Sequence, residues 1–225
     1  MSRRLAFLLI AAVTIAGSAF AFGGWAVITV RDVPDHLTVG QPTTIAFSVR
    51  QHGQTPLGGL VPSIEARQAS AGAGAFVRGA VRAGAKDGEY VGTLAVPKAG
   101  EWRVTIRSGF GRSDLALLPL QATDGRGAVA ALTAAERGRH LFVAKGCVMC
   151  HERAGLETKP MAAVAPDLTG RTFDPAYLAL WLANPRIRPP TKGYGEMPNL
   201  GLSQQEIAAL SAFINDGTRV AARQQ

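Results

Sequence analysis

The sequence predicts two domains of different fold class, an all-β domain followed by an all-α domain. Short runs of alternating polar and apolar residues, separated by Gly, Pro and Asp turn signals, fill residues 25–123. Helix-capping signals followed by helical apolar spacing begin at residue 133. A Gly- and Asp-containing turn at 124–127 separates the two patterns. The 225 residues are enough for one large domain or two small ones.

The N-terminal half has the pattern of an antiparallel sandwich. In 101–107 polar and apolar residues alternate throughout, as expected for a strand with one buried face. About seven such runs within roughly 100 residues predict an immunoglobulin-like β-sandwich over 22–123. The Ala- and Gly-rich stretch 69–84 fits a strand and a loop equally well. The clearest runs are Thr43–Arg50, Glu89–Val96, Glu101–Ser108 and Asp114–Thr123.

The C-terminal half has the signals of three helices after a linker at 124–132. Thr133 and Glu136 form a capping box at the start of the first helix. Asp174-Pro175 begins the second helix, which Pro185 ends. A second capping box at Ser203 begins the third, and Gly217 ends it. We therefore expect a helical domain over 133–225.

The run Cys147-Val148-Met149-Cys150-His151 is a motif for covalent haem attachment. Two thiols three residues apart on a helical turn can each form a thioether with a haem vinyl group. The following histidine can then supply one axial ligand to the iron.

A Cys-x-x-Cys pair also occurs in zinc sites and in redox-active dithiols, so the motif alone leaves these alternatives open. A zinc site needs about four ligands, and the chain has only 2 cysteines. A redox dithiol of the thioredoxin type follows a strand, whereas the flanking sequence here is helical. Haem attachment is the favoured interpretation.

The N-terminus has the pattern of a signal peptide over residues 1–21. Arg3 and Arg4 precede an apolar stretch over 5–17, and Ala19-Phe20-Ala21 is a cleavage site of the small-x-small type. Because no charge occurs from residue 5 to residue 30, an uncleaved membrane anchor is the alternative. Either interpretation predicts the periplasm or the extracytoplasmic face of the cytoplasmic membrane, with membrane contact only through an uncleaved N-terminus.

The charge pattern argues against nucleic acid as a partner. The formal net charge is +8, but no block of Lys and Arg with interleaved aromatic residues is present. A mildly basic protein can still be steered towards an acidic partner.

Residues 133–217 resemble a class I c-type cytochrome, with the family's motifs in the family's order. Besides the attachment motif, the matching segments include Gly138 with Phe142 and the terminal capped helix. The others are Ala165-Pro166-Asp167-Leu168-Thr169-Gly170, Trp181-Leu182 with Asn184-Pro185, and Met197-Pro198-Asn199-Leu200.

This resemblance implies one covalently bound haem c and assigns its site residues. Cys147 and Cys150 match the thioether positions, and His151 matches the proximal iron ligand. Met197 matches the distal ligand. Pro166 matches the proline whose carbonyl accepts a hydrogen bond from the other imidazole nitrogen.

Other candidate ligands fit the family pattern less well. Met161 precedes a segment that lies on the proximal side in the family, so Met197 is preferred as the distal ligand. His140 lies on the first predicted helix and is expected at the surface. His36 and His52 lie in the β domain without nearby methionine or cysteine, so we expect solvated or turn histidines rather than a copper site.

Three further expectations follow from the resemblance. The first and last helices should cross at Gly138 and Phe142, near Leu210 and Phe213. Trp181 or Tyr194 would contact a haem propionate, with plain hydrophobic packing as an equal alternative. Cationic residues would surround an exposed haem edge, namely Lys145, Arg186, Arg188 and Lys192.

The β domain is similar to small periplasmic YtkA-like sandwich domains. The similarity rests on Arg50-Gln51-His52-Gly53, Thr55-Pro56 and Ala99-Gly100-Glu101-Trp102. These motifs are few, and they bear on the fold only.

The function implied is electron transfer, with no catalytic constellation in the sequence. The protein would be a periplasmic carrier, or the cytochrome subunit of a membrane respiratory complex, with redox proteins as partners. One alternative is a haem enzyme or gas sensor in which the distal methionine dissociates. The other is a ligand-binding β domain whose haem reports redox state.

Overall fold

A computed structural model describes residues 24–69, 74–126, 130–161, 164–189 and 192–216. The predicted signal peptide at 1–21 and the predicted helix end at Gly217 lie outside the described residues.

The N-terminal half of the described chain is a sandwich of two β-sheets. Its strands in chain order are β1 (Ala26–Val30), β2 (Leu37–Thr38), β3 (Thr43–Gln51), β4 (Thr55–Pro56), β5 (Ser63–Gln68), β6 (Phe76–Arg78), β7 (Ala80–Ala83), β8 (Glu89–Leu94), β9 (Gly100–Arg107), β10 (Asp114–Ala116) and β11 (Leu120–Thr123). One sheet has the order β1-β3-β8-β7, with β4 paired to β3. The other has the order β2-β11-β9-β5-β6, with β10 paired to β9. Every pairing is antiparallel except that of β11 with β2.

Side-chain alternation explains why the two sheets pack face to face. On β9 the side chains of Trp102, Val104 and Ile106 are fully buried, while their neighbours point outwards. Ile45 and Val49 of β3 are equally buried from the facing sheet. This confirms the predicted all-β sandwich.

The structure assigns strands in one stretch that the sequence left open and divides one predicted strand in two. The undecided stretch 69–84 contains β6 and β7, which lie in different sheets. The predicted strand Asp114–Thr123 is broken into β10 and β11. Pro119 lies in the break, and a proline has no N–H to donate to a strand ladder.

In the described residues after 126 the structure has three α-helices, α1 (Ala134–Ala144), α2 (Pro175–Ala183) and α3 (Gln204–Asn215). Both predicted capping boxes are present, at Thr133 and at Ser203. The side chain of Asp174 caps α2 by accepting a hydrogen bond from the Tyr177 N–H. Short 3₁₀ turns follow α1 at Cys147–Met149 and α2 at Pro185–Ile187.

The first and last helices cross at Gly138, as the family resemblance implies. A Cβ atom on Gly138 would lie 1.9 Å from the carbonyl oxygen of Ala209, so only glycine permits this approach. The rings of Phe142 and Phe213 pack edge to face beside the crossing, 5.5 Å apart.

The helical domain packs against β1 of the sandwich through the end of α1. The side-chain amine of Lys145 donates a hydrogen bond of 2.5 Å to the Arg31 carbonyl. The same amine lies 2.6 Å from a carboxylate oxygen of Glu206. The side chain of Thr29 donates a 3.3 Å hydrogen bond to the Lys145 carbonyl. None of the helices in the described residues is long and apolar enough to cross a bilayer.

Candidate haem-binding site

A cavity of about 770 Å³ lies where the three helices meet the sandwich. This volume falls within the range of roughly 300–1,000 Å³ that is typical of cofactor pockets. Apolar residues of all three helices line it, including Phe142, Leu178, Leu182 and Leu210. The segments that carry the haem motif and Met197 line the same cavity.

Both cysteines of the attachment motif line the cavity. Cys147 begins the 3₁₀ turn that follows α1, and Cys150 comes directly after it. The N–H of His151 donates a 2.8 Å hydrogen bond to the Cys147 carbonyl. Burial raises the pKa of the Cys147 thiol to about 12, and the neighbouring Cys150 adds to the effect. Burial also raises the pKa of Cys150 to about 11. Redox-active dithiols have lowered pKa values, so this environment does not favour that alternative.

His151 also lines the cavity, and one of its ring nitrogens is already engaged. Its Nδ1 lies 2.9 Å from the carbonyl oxygen of Pro166, the contact that the family resemblance implies. Burial lowers the pKa of the imidazole, and the hydrogen bond to Pro166 opposes this only in part. A neutral ring with Nδ1–H bound to a carbonyl leaves Nε2 for a metal.

Met197 lines the cavity, and the other described methionines do not. Met149 is buried in the core, and Met161 is 42% exposed. The Sδ of Met197 accepts a 3.3 Å hydrogen bond from the indole Nε1 of Trp181. The resemblance predicts that Trp181 contacts a haem propionate or packs against apolar side chains. The hydrogen bond to the Met197 sulfur is not part of that prediction. Tyr194 lines the cavity, and its contact with a propionate stays a prediction.

Residues of the β domain complete the cavity, and sequence reasoning missed them. Trp25, Val27, His52 and Gln54 all lie in its lining. His52 was interpreted as a solvated or turn histidine, and it does lie in the turn between β3 and β4. His140, the rival ligand on α1, is not among the residues that line the cavity.

One expectation for the charged rim is wrong. Lys145 is 95% buried and ion-paired with Glu206, so it is not a residue of an exposed rim. Arg188 does line the cavity and lies over the ring of Tyr177, at 5.1 Å from the ring centre. Arg186 is exposed but pairs with Glu196 at 2.9 Å.

The residues present fit a covalently attached haem. The cavity wall offers two thiols, an imidazole oriented through its Nδ1, a thioether and a largely apolar surface. Across the described residues, no group of three or more His, Cys, Asp and Glu side chains is arranged to hold a bare metal ion.

Comparison with known proteins agrees with this geometry. The cytochrome c family model matches residues 135–218. No curated protein matches the chain.

The similar solved structures align with just under half of the chain. A Lin-41 filamin domain aligns with a TM-score of 0.36 at 12% identity, over 46% of this chain and 96% of that one. A crystallised S-layer protein aligns with a TM-score of 0.34 at 19% identity, over 47% and 14%. A β-glucosidase from Listeria innocua aligns with a TM-score of 0.31 at 15% identity, over 48% and 17%.

The family match covers the three helices, the Cys147–Cys150 pair and the Met197 segment. The three helices and the cavity that they line agree with this match. Residues 135–218 are therefore a cytochrome c domain, which follows an N-terminal β-sandwich.

Proposed function

We propose that this protein is an extracytoplasmic electron-transfer protein with a single haem c. Cys147 and Cys150 would hold the haem covalently, and His151 and Met197 would be its axial ligands. One observation carries the proposal: these four side chains line a single cavity, with the imidazole Nδ1 already bonded to the Pro166 carbonyl.

The two axial positions determine the class of reaction. When bound, haem supplies an iron that exchanges one electron between its ferric and ferrous forms. An imidazole and a thioether together leave no position for a substrate, which favours electron transfer over ligand chemistry. A thioether from Met197 favours the reduced iron and raises the potential relative to a second histidine.

The hydrogen bonds around the two ligands support the same role. The Pro166 carbonyl fixes the ring of His151, and the indole of Trp181 holds the sulfur of Met197. Axial ligands that are fixed by hydrogen bonds to neighbouring residues would move little when the iron changes oxidation state. An electron carrier requires such a small structural change.

The compartment and the partners follow from the class of protein. Proteins with haem c are typically extracytoplasmic, which agrees with the predicted export signal. We propose redox-protein partners with an acidic docking surface, favoured by Arg188 in the cavity lining and by the exposed Arg186 beside Glu196. A membrane respiratory complex is one such partner.

Carbon monoxide distinguishes this function from a haem enzyme or gas sensor. The full-length protein, matured with a haem-attachment system, is reduced and mixed with carbon monoxide while its absorption is followed. A carrier is expected to be inert on the time scale of seconds, and to titrate as a one-electron couple. Rapid carbon monoxide binding by the unmodified protein would favour the sensor or enzyme instead.

A further inference from the structure

The segment immediately before the attachment motif is packed on the β-sandwich. A Cβ atom on Gly146 would lie 2.6 Å from both the carbonyl oxygen of Ile28 and a methyl carbon of Val27. Gly146 also has φ 80°, in the left-handed region that favours glycine. β1 therefore contacts the chain directly next to Cys147.

The segment that carries Met197 is held by the same part of the sandwich. The side-chain amide of Gln54 donates a 3.0 Å hydrogen bond to the carbonyl of Glu196. On the other side of Met197, the ring of Pro198 packs against Gly53, 3.3 Å from where a Cβ atom would lie. Residues on both sides of Met197 are therefore attached to the turn between β3 and β4.

These contacts come from one sandwich corner, which consists of Trp25, Val27 and the turn 52–54. The N–H of His52 donates a 3.0 Å hydrogen bond to the Trp25 carbonyl. The two rings pack at 5.5 Å, tilted by 53°. His52 has φ 52°, in the left-handed region that a non-glycine residue rarely adopts. Strained residues of this kind concentrate at functional sites.

The sandwich corner is also part of the cavity wall. Trp25, Val27, His52 and Gln54 line the same space as Cys147, His151 and Met197. The sandwich thus contacts the chain beside one thioether position, contacts it on both sides of the predicted distal ligand, and closes the wall between them.

We propose that the sandwich corner is a positioning element of the haem site, which holds Met197 in place and limits access of water and small ligands. This inference rests on the proposed function, because it concerns the site of the same haem. Gln54 acts through the 196–198 backbone, whereas Trp25 and His52 act as a wall.

A matched pair of glutamine variants tests the holding role. Gln54 and Gln68 each donate a 3.0 Å hydrogen bond to a backbone carbonyl, but Gln68 does so to Ala99 within the sandwich. Gln54 is exposed and Gln68 is half-buried, so neither substitution removes a core side chain and both should preserve the fold. The measured quantity is the rate at which cyanide displaces the distal ligand of the ferric full-length protein.

We expect Gln54→Ala to increase the cyanide rate about fivefold, the factor that corresponds to the net free energy of one hydrogen bond. Gln68→Ala should leave the rate unchanged. Hydrogen exchange of the peptide 195–201 should also accelerate in Gln54→Ala alone. Equal cyanide rates and equal exchange in the two variants would overturn the holding role.

A pair of aromatic variants tests the wall. Trp25 lines the cavity, whereas Phe76 is 43% exposed and lies beneath Arg67, elsewhere on the sandwich. Because solvent access to a haem lowers its potential, Trp25→Ala should shift the midpoint potential downwards. Phe76→Ala should leave it unchanged. Identical midpoint potentials for both variants and the unmodified protein would contradict the role of Trp25 in limiting access of water to the haem.

The unmodified protein separates this inference from the proposed function. If it lacks covalent haem or the weak red absorption band of sulfur–ferric ligation, the proposed function fails. If it has both, and the variants at Gln54 and Trp25 still match their controls, only the role of the sandwich corner is contradicted.

Discussion

The indole Nε1 of Trp181 lies 3.3 Å from the Sδ of Met197 and donates a hydrogen bond to it. A thioether sulfur has two lone pairs, so one can accept this bond while the other would bind the iron of the proposed haem. The donor would draw electron density from the sulfur and thereby weaken its donation to the metal. Trp181 lies on α2 and is half-buried, so the helix fixes where the donor points.

We predict that Trp181→Phe lowers the midpoint potential. Without the donor, Met197 gives more density to iron and favours the ferric state. The net free energy of one hydrogen bond, about 1 kcal/mol, corresponds to roughly 40 mV in the potential of a one-electron couple. We therefore expect a decrease in midpoint potential of this size. Spectroelectrochemical titration measures it. Tyr177→Phe, which alters the neighbouring ring 6.2 Å away, is the control and should change the potential less. An unchanged potential in Trp181→Phe would contradict the hydrogen bond.

The crossing of α1 and α3 leads to a stability prediction. Gly138→Ala should lower the free energy of unfolding by at least about 2 kcal/mol, because the new methyl group would clash with the Ala209 carbonyl. Helix propensity alone would raise the free energy of unfolding by up to about 1 kcal/mol on replacing glycine with alanine. A decrease therefore indicates the clash between the helices. Chemical denaturation measures the change.

The matched control for this substitution is Gly195→Ala. A Cβ atom there would be 3.7 Å from its nearest neighbour, which is an ordinary contact. We expect a change within about 1 kcal/mol. Equal effects of the two substitutions would mean that the helices do not cross as described.

The buried ion pair of Lys145 and Glu206 predicts how stability depends on pH. Burial alone would raise the pKa of Glu206, but hydrogen bonds from Lys145 and Ser203 outweigh it and lower the pKa. A carboxylate with a lowered folded-state pKa stabilises the protein above its unfolded-state pKa of about 4.3. That contribution is lost as the pH falls through the lower folded-state value.

Glu206→Gln should therefore make the free energy of unfolding less dependent on pH below about 4.3. Denaturation curves between pH 3 and pH 7, spaced by about half a unit, measure the slope. Glu157→Gln is the control, because the Glu157 side chain is 88% exposed and should leave the slope unchanged. The same slope in Glu206→Gln and in the unmodified protein would show that the pair does not couple to folding.

Single substitutions of the two cysteines test how the haem is held. Cys147→Ala and Cys150→Ala each leave one thiol in the cavity, so each variant should retain covalent haem through one thioether. One of the two haem vinyl groups would then remain unreacted. Because this vinyl group extends the conjugation of the porphyrin, the absorption band of the pyridine haemochrome should shift to longer wavelength. The double variant should release its haem into acid acetone. Retention of haem by the double variant would contradict thioether attachment at these positions.

Much of the helical domain could be predicted because its signals are local. Capping boxes at Thr133 and Ser203, and Pro175 at the start of α2, specify helix ends over three or four residues. The attachment motif is contiguous as well. The assignment of Met197 as distal ligand rests on the family resemblance and stays a prediction, because no local pattern distinguishes a ligand from a core methionine.

The sequence could not show what depends on how the two domains pack. Trp25 and His52 are more than 90 residues from Cys147. The pairing of β1 with β3 brings Trp25 and His52 together, and the packing of the two domains places both in the cavity lined by Cys147. Lysine side chains usually lie at the surface. Lys145 is buried because it lies between Arg31 and Glu206. In 69–84 small residues give no alternation, so strand and loop could not be distinguished.

The absorption spectrum of the matured full-length protein and of two methionine variants tests the central claim most directly. Met197 lines the cavity, while Met161 is 42% exposed and does not. We predict that colour stays with the polypeptide in acid acetone in all three proteins, and that Met197→Ala alone loses the weak red band. Colour that separates from the chain, or a red band that survives Met197→Ala, would contradict the account.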